Sequence, residues 1–334
     1  MIVWLEFALC LVLIAAAGYH LSLYGDMIGE KLGLSRSWVG VVMVASVTSL
    51  PELVTGLSAV TVARAPDIAA GDVLGSCVFN LLLIVILDFL HREESVYTRA
   101  RVGHVLSAGF GVILIGFVGM NLLLAHNGIE PAFLHVGLYT PIILFIYALA
   151  MRTVFRYEQI QDLPVIDEND KRYRKVTLRQ AVTGYALASA VVVAAGVWLP
   201  FVGKDIAEVM GWGESFVGTL FIAAVTSLPE AAVSIAAVRL GALDMAMGNL
   251  FGSNLFNMAI LAIDDIAYLP GPLLSGVSQV HAVSALSAMM MSGIAIVGLF
   301  YRPQRRVFRT VGWVSLFLLS VYLVNTFAIY LYGH

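Results

Sequence analysis

A carboxylate, two hydroxyls and a helix-breaking proline occur together twice in this chain, as Thr48-Ser49-Leu50-Pro51-Glu52 and as Thr226-Ser227-Leu228-Pro229-Glu230. Each string lies inside a long apolar run, so Glu52 and Glu230 are placed at membrane depth. A charged side chain near the centre of a bilayer costs about 2.5–3.5 kcal/mol on insertion scales, which makes an acid held there a functional candidate. Proline has no amide hydrogen, so Pro51 and Pro229 free the carbonyls of Val47 and Val225 from their helical partners. Irregular backbone at that depth is stable only against protein or a polar cavity, where its oxygens can hold an ion.

The polar inventory around the two strings is all oxygen: the carboxylates, the hydroxyls of Thr48, Ser49, Thr226, Ser227, Ser76 and Ser253, and the amides of Asn80, Asn254 and Asn257. Hard cations take oxygen ligands, and Ca²⁺ takes about 6–8 of them. Ser76 and Asn80 are four residues apart, as are Ser253 and Asn257, so each pair shares a helix face. Gly71 with Gly75, and Gly248 with Gly252, repeat at the small-xxx-small spacing that lets membrane helices approach closely. Asp88 and Asp265 are expected at opposite membrane edges as capping or solvated groups, while for Asp72, aligned with Asn249, an outer-mouth position and ion contact are evenly weighted. Glu6, His104 and His281 read as boundary residues without repeat partners, and Cys10 and Cys77 as small buried hydrophobes.

The elements that must position these groups are membrane spans. With 60% hydrophobic residues, 12% charged residues and mean hydropathy +0.90 over 334 residues, the chain is a polytopic membrane protein rather than a water-soluble globule. Ten stretches are long enough to cross, at 2–24, 37–63, 67–90, 103–125, 131–152, 178–200, 214–238, 243–268, 277–300 and 309–331. Met1 to His20 reads as a retained first span and not a secretory signal, since no Lys or Arg precedes it. The segment Arg152 to Arg179 interleaves five acids with seven basic residues and is expected to be a solvated linker without a ligand of its own. Loops on one side carry 17 of the 19 basic residues, against Arg64 and Lys204 on the other, which predicts a cytoplasmic linker and both termini outside.

A shift of 178 residues aligns Ala16-Ala17-Gly18 with Ala194-Ala195-Gly196, Val39-Gly40 with Val217-Gly218, and the two Thr-Ser-Leu-Pro-Glu strings. A shift of 177 then aligns Gly71 to Asn80 with Gly248 to Asn257. The halves, 1–152 and 178–334 about a linker at 153–177, each hold five spans. An odd number inverts the second copy, and inverted repeats with interrupted helices at their junction are an architecture of secondary transporters. The expected fold is therefore an all-α polytopic membrane protein with ten transmembrane helices in two inverted five-helix repeats. A duplicated bundle without transport is the plain alternative.

Over essentially its whole length the chain resembles the cation/calcium antiporter superfamily, specifically a prokaryotic member of its sodium/calcium exchanger branch. The Thr-Ser-Leu-Pro-Glu strings and the Gly-Ser-x-x-x-Asn segments carry the resemblance. It implies that Glu52 and Glu230 hold Ca²⁺. It also implies that Thr48, Thr226, Ser49, Ser227, Ser76, Ser253 and the backbone of Ala45 and Ala223 serve Ca²⁺ or flanking Na⁺ sites, with Asn80 and Asn257 at the centre. Alternating access, two helices sliding over a core of eight, is implied as well. The chain departs from the family pattern at Val47, Val225, Asp72 and Cys77, and in having neutral amides at both Asn80 and Asn257.

The function expected is thus antiport of Ca²⁺ against Na⁺ in a prokaryotic inner membrane, not an enzymatic activity. Ca²⁺, Na⁺ and lipid are the expected partners, with no cofactor, nucleic acid or obligate protein partner. A proton-driven cation exchanger is the alternative that the paired neutral amides favour, although its Gly-Asn-Ala-x-Glu string is absent. An intramembrane aspartyl protease needs Gly-x-Gly-Asp, and Ala69-Ala70-Gly71-Asp72 lacks it. A passive channel would show flux without a counter-ion.

Overall fold

The computed structural model of the chain describes residues 2–31, 45–91, 95–161, 176–303, 306–307 and 311–333. In chain order the principal helices are α1 (Ile2–Lys31), α2 (Ala45–Thr48), α3 (Leu50–Ala63), α4 (Pro66–Leu90), α5 (His104–His126) and α6 (Tyr139–Gln161). They continue as α7 (Leu178–Met210), α8 (Glu214–Thr226), α9 (Leu228–Arg239), α10 (Leu243–Ala267), α11 (His281–Tyr301) and α12 (Trp313–Tyr332). Among the described residues, eight of these are long and apolar enough to cross a bilayer, and α8 with α9 forms a ninth crossing bent by 45°. The ten expected spans are therefore not all seen as such. The stretch 37–63 is represented by α2 and α3, broken at Ser49, and its residues 37–44 lie outside the described set.

Several helices run past the boundaries expected from hydropathy. α1 continues to Lys31, and α7 runs for 33 residues until Gly211, in the left-handed conformation at φ 66°, closes it. At 1.5 Å per residue α7 is about 50 Å long against a hydrocarbon core of about 30 Å. α6 extends through Gln161 into the segment expected to be linker, of which 162–175 lie outside the described residues.

Enclosure sorts the helices. The most apolar windows of α10 and α4 are 89% and 67% buried, whereas those of α1, α6 and α12 are 28% buried. α4 and α10 pack against each other at the centre, and α1 lies along α7 at the side. Two glycines set the approach of α4 to α8: a methyl on Gly71 would fall 2.9 Å from the backbone nitrogen of Thr219, and one on Gly75 would overlap the Thr219 carbonyl. The close approach requires Gly at both positions.

The far ends of α4 and α10 are fastened by Asp88 and Asp265, which take the capping role of the two expected for them. Asp88 accepts from Ser95 Oγ (3.0 Å), Val96 N (3.1 Å), Gly312 N (2.9 Å) and Ser315 Oγ (2.8 Å). Asp265 accepts from Gly137 N (3.0 Å), Leu273 N (2.7 Å), Tyr139 and Thr140. The two glycines belong to two-residue antiparallel ribbons, Ala132–Phe133 with Val136–Gly137 and Arg306–Val307 with Val311–Gly312, that lead into α6 and α12. Each aspartate is buried rather than solvated, and its lone pairs are taken up by backbone and hydroxyl donors.

Candidate cation site

Both Thr-Ser-Leu-Pro-Glu strings fold the same way because the proline forbids a continuous helix. Ser49 (φ −86°, ψ 14°) and Ser227 (φ −82°, ψ 5°) sit at the breaks with nearly identical backbone angles in the sparsely populated bridge region. Pro51 and Pro229 occupy the first turn of α3 and α9, where a missing amide hydrogen costs nothing. Glu52 and Glu230 share those first turns, at the positive end of a helix dipole that favours a carboxylate.

The two strings cross-link. Ser49 Oγ donates to Glu230 Oε1 at 2.8 Å, and Ser227 Oγ lies 3.3 Å from Glu52 Oε1. Ser227 Oγ also reaches Ser76 Oγ at 3.0 Å, and Ser253 Oγ donates to Glu230 Oε1 at 3.2 Å. Thr226 Oγ1 donates to Asp72 Oδ1 at 2.7 Å, and Thr48 Oγ1 meets Asn249 Oδ1 at 3.3 Å. Asn80 Nδ2 donates to Asn254 Oδ1 at 3.0 Å, and Asn254 Nδ2 to the carbonyl of Cys77 at 3.1 Å.

Of the residues expected at the site, Glu52, Glu230, Thr48, Thr226, Ser49, Ser227, Ser76, Ser253, Asn80 and Asn257 are all brought together and fully buried, on α2, α3, α4, α8, α9 and α10 or the breaks between them. The carbonyl of Ala223 is engaged within its own helix, accepting from Ser227 N at 3.1 Å. Ala45 opens α2 at the edge of the described residues.

Asp72, for which the sequence weighs a mouth position and ion contact evenly, is fully buried and held by Thr226, so a third carboxylate joins the two glutamates. The reason is the glycine-mediated approach of α4 to α8, which carries Asp72 inward; its alignment with Asn249, whose amide reaches the Glu230 carbonyl at 3.3 Å, was the available signal. His104 and His281 are likewise matched rather than unpartnered, being 177 residues apart. His104 Nε2 lies 3.1 Å from Asp244 Oδ1 and His281 Nε2 lies 2.9 Å from Asp67 Oδ1, which clasps the starts of α5 to α10 and of α11 to α4.

What remains unsatisfied is informative. Glu52 Oε2, Glu230 Oε2, Asp72 Oδ2, Asn80 Oδ1 and Asn257 Oδ1 are buried acceptors without a hydrogen-bond donor. Buried polar atoms are ordinarily paired, and a concentration of bare oxygens carrying negative charge is compensated by a cation. Contrast Asp88 and Asp265, equally buried but fully served with donors. Carboxylate and amide oxygens are the donor types that a hard cation of the Ca²⁺ or Na⁺ type takes.

A model of the family described as "Sodium/calcium exchanger protein" matches residues 2–155 and 181–331. The inner membrane protein YrbG of Escherichia coli is 29% identical over 310 residues, covering 90% of each chain. The sodium/calcium exchanger MaX1 of Methanosarcina acetivorans is 26% identical over 270 residues, covering 72% of this chain and 76% of its own. Among solved structures, native YfkE superposes with a TM-score of 0.65 at 19% identity, covering 97% of this chain and 91% of YfkE. The sodium-calcium exchanger NCX_Mj does so with 0.61 at 20% identity, covering 97% of both chains. The fold is thus shared with these structures, and the match across both halves of the sequence makes this integral membrane chain a member of the sodium/calcium exchanger family.

Proposed function

We propose that the protein is a secondary antiporter that exchanges Ca²⁺ for Na⁺ through the Glu52 and Glu230 cluster. The observation that carries this reading is the set of five donor-less buried oxygens, three of them carboxylate, where α3, α4, α9 and α10 meet. Ca²⁺ takes up the bare oxygens with its two charges. Two or three Na⁺ divided among the same ligands compete with it. The names of MaX1 and NCX_Mj as sodium/calcium exchangers support the choice of ions.

Ten crossings in two inverted halves, 1–152 and 178–334, with a cytoplasmic linker at 153–177 and both termini outside, complete the reading, in a prokaryotic inner membrane. Alternating access then belongs to α1 and α7. These are the longest helices and pack along each other, and they meet the site region through glycines that the repeat places in register. A methyl on Gly18 would overlap Pro229, and one on Gly196 would lie 3.1 Å from Val54 Cγ1. Glycine surfaces without side-chain knobs favour sliding across the broken helices of the opposite half.

Proton-driven Ca²⁺ exchange is the second reading, favoured by the neutral amides at Asn80 and Asn257 together with the extra carboxylate of Asp72. The two part on one experiment with purified protein in liposomes. ⁴⁵Ca²⁺ uptake that follows an imposed Na⁺ gradient supports the first, and uptake that follows a pH gradient and ignores Na⁺ replaces it with the second.

A further inference from the structure

Asp264 is fully buried, and neither of its carboxylate oxygens has a hydrogen-bond partner. It lies in the last turn of α10, at the negative end of the helix dipole, where a carboxylate is disfavoured. Its neighbour Asp265, equally buried, collects donors from Gly137, Leu273, Tyr139 and Thr140. Asp264 instead faces a cradle on α3, because a methyl on Gly56 would overlap its carboxylate. The adjoining Thr55, also fully buried, turns its hydroxyl to Gly196 of α7, where a methyl would lie 3.4 Å from it.

Gly56 is one turn beyond Glu52 on α3, about 5–6 Å along the same face. On α10, Asp264 is two turns beyond Asn257 and shares its face. The acid therefore stands one step from the central cluster, towards the Ala63 end of α3. The titratable group acting on it is another acid, Asp72 on α4, close enough for the two charges to repel.

We infer that Asp264, seated against Gly56, forms a second cation site, distinct from the central cluster, for one monovalent hard cation of the Na⁺ type. A bound cation serves the two oxygens that no donor reaches. One carboxylate neutralises one positive charge and leaves a divalent ion half compensated. The repeat makes the site one-sided: its shifts place Ser234 opposite Gly56 and Leu87 opposite Asp264, so the other half lacks the acid and the glycine that seats it. If the protein exchanges ions as proposed above, ion entry from the two sides of the membrane is then unequal.

The test is thermal unfolding of purified protein as NaCl replaces choline chloride at constant ionic strength and fixed alkaline pH. A ligand that binds the folded state raises Tm saturably. Expected is a Na⁺-dependent rise that remains in Glu52→Gln/Glu230→Gln and is lost when Asp264→Asn is added. No rise in the double variant, a rise that survives Asp264→Asn, or a response to pH alone overturns the inference. Should the double variant not purify, Na⁺ titrations of Asp264→Asn and Gly56→Ala against wild type decide it. Both variants are expected to give shallower curves, by one ion, and curves identical to wild type overturn it. No Ca²⁺ or gradient is present, so the outcome is independent of whether Ca²⁺ exchange is found.

Discussion

Replacing Ser49 by Ala removes a hydroxyl that reaches across the pseudo-repeat to Glu230 at 2.8 Å. A hydrogen bond to a charged group contributes about 1.5–3 kcal/mol, which is roughly 10- to 150-fold in an equilibrium constant. The equivalent Ser227 is less committed. Its hydroxyl is 3.3 Å from Glu52 Oε1, beyond the usual O–H···O range, and has a better partner in Ser76 Oγ at 3.0 Å. Ser227→Ala is therefore expected to cost about 0.5–1.5 kcal/mol, roughly 2- to 10-fold. The assay is the Ca²⁺ concentration that half-saturates initial ⁴⁵Ca²⁺ uptake into Na⁺-loaded proteoliposomes. Ser49→Ala should raise it by the larger factor. Equal shifts for the two serines, or a larger shift for Ser227→Ala, would refute the crossed arrangement.

One further outcome follows from the geometry, and two from charge. Asp88→Asn keeps one acceptor oxygen but sets an amide nitrogen against two of the four donors, so it is expected to destabilise the protein by about 1–3 kcal/mol, read as a lower Tm, with the half-saturating Ca²⁺ concentration unchanged. Cysteines placed at Asn169 and Gly333 should be labelled only from the cytoplasmic and the outer side respectively; reversed labelling contradicts the orientation read from the 17 of 19 basic residues. Three Na⁺ exchanged for one Ca²⁺ moves one net charge, worth about 2.3 kcal/mol per 100 mV, so uptake should respond to a valinomycin-set K⁺ potential. Indifference to that potential contradicts this ratio.

Hydropathy located the spans because a bilayer imposes the same length on every crossing. The repeat located Glu52 and Glu230 because a proline beside an acid, at matched membrane depth in both halves, is costly unless the freed oxygens meet a partner there. What the sequence hid lies between non-equivalent residues. Sliding the chain against itself pairs Ser49 with Ser227, whereas in space Ser49 meets Glu230. Asp72 reads evenly as a mouth residue or an ion contact from its place near the start of α4, and only the close approach at Gly71 and Gly75 turns it into the site. The sites of His104 and His281 depend on Asp244 and Asp67, more than a hundred residues away. Asp264 has an apolar residue, Leu87, at its repeat position, so a search for matched polar groups passes over it.

The central claim is that Ca²⁺ crosses through the Glu52 and Glu230 cluster in exchange for Na⁺. It is tested most directly by ⁴⁵Ca²⁺ uptake into Na⁺-loaded liposomes diluted into Na⁺-free buffer, with wild type, Glu52→Gln and Glu230→Gln reconstituted side by side. Wild type should accumulate Ca²⁺ only while the Na⁺ gradient lasts, and each variant, folded and inserted, should accumulate none, because the divalent ion loses a carboxylate in a low-dielectric site. Near-normal uptake by either variant, or wild-type uptake that needs no counter-ion, would contradict the account.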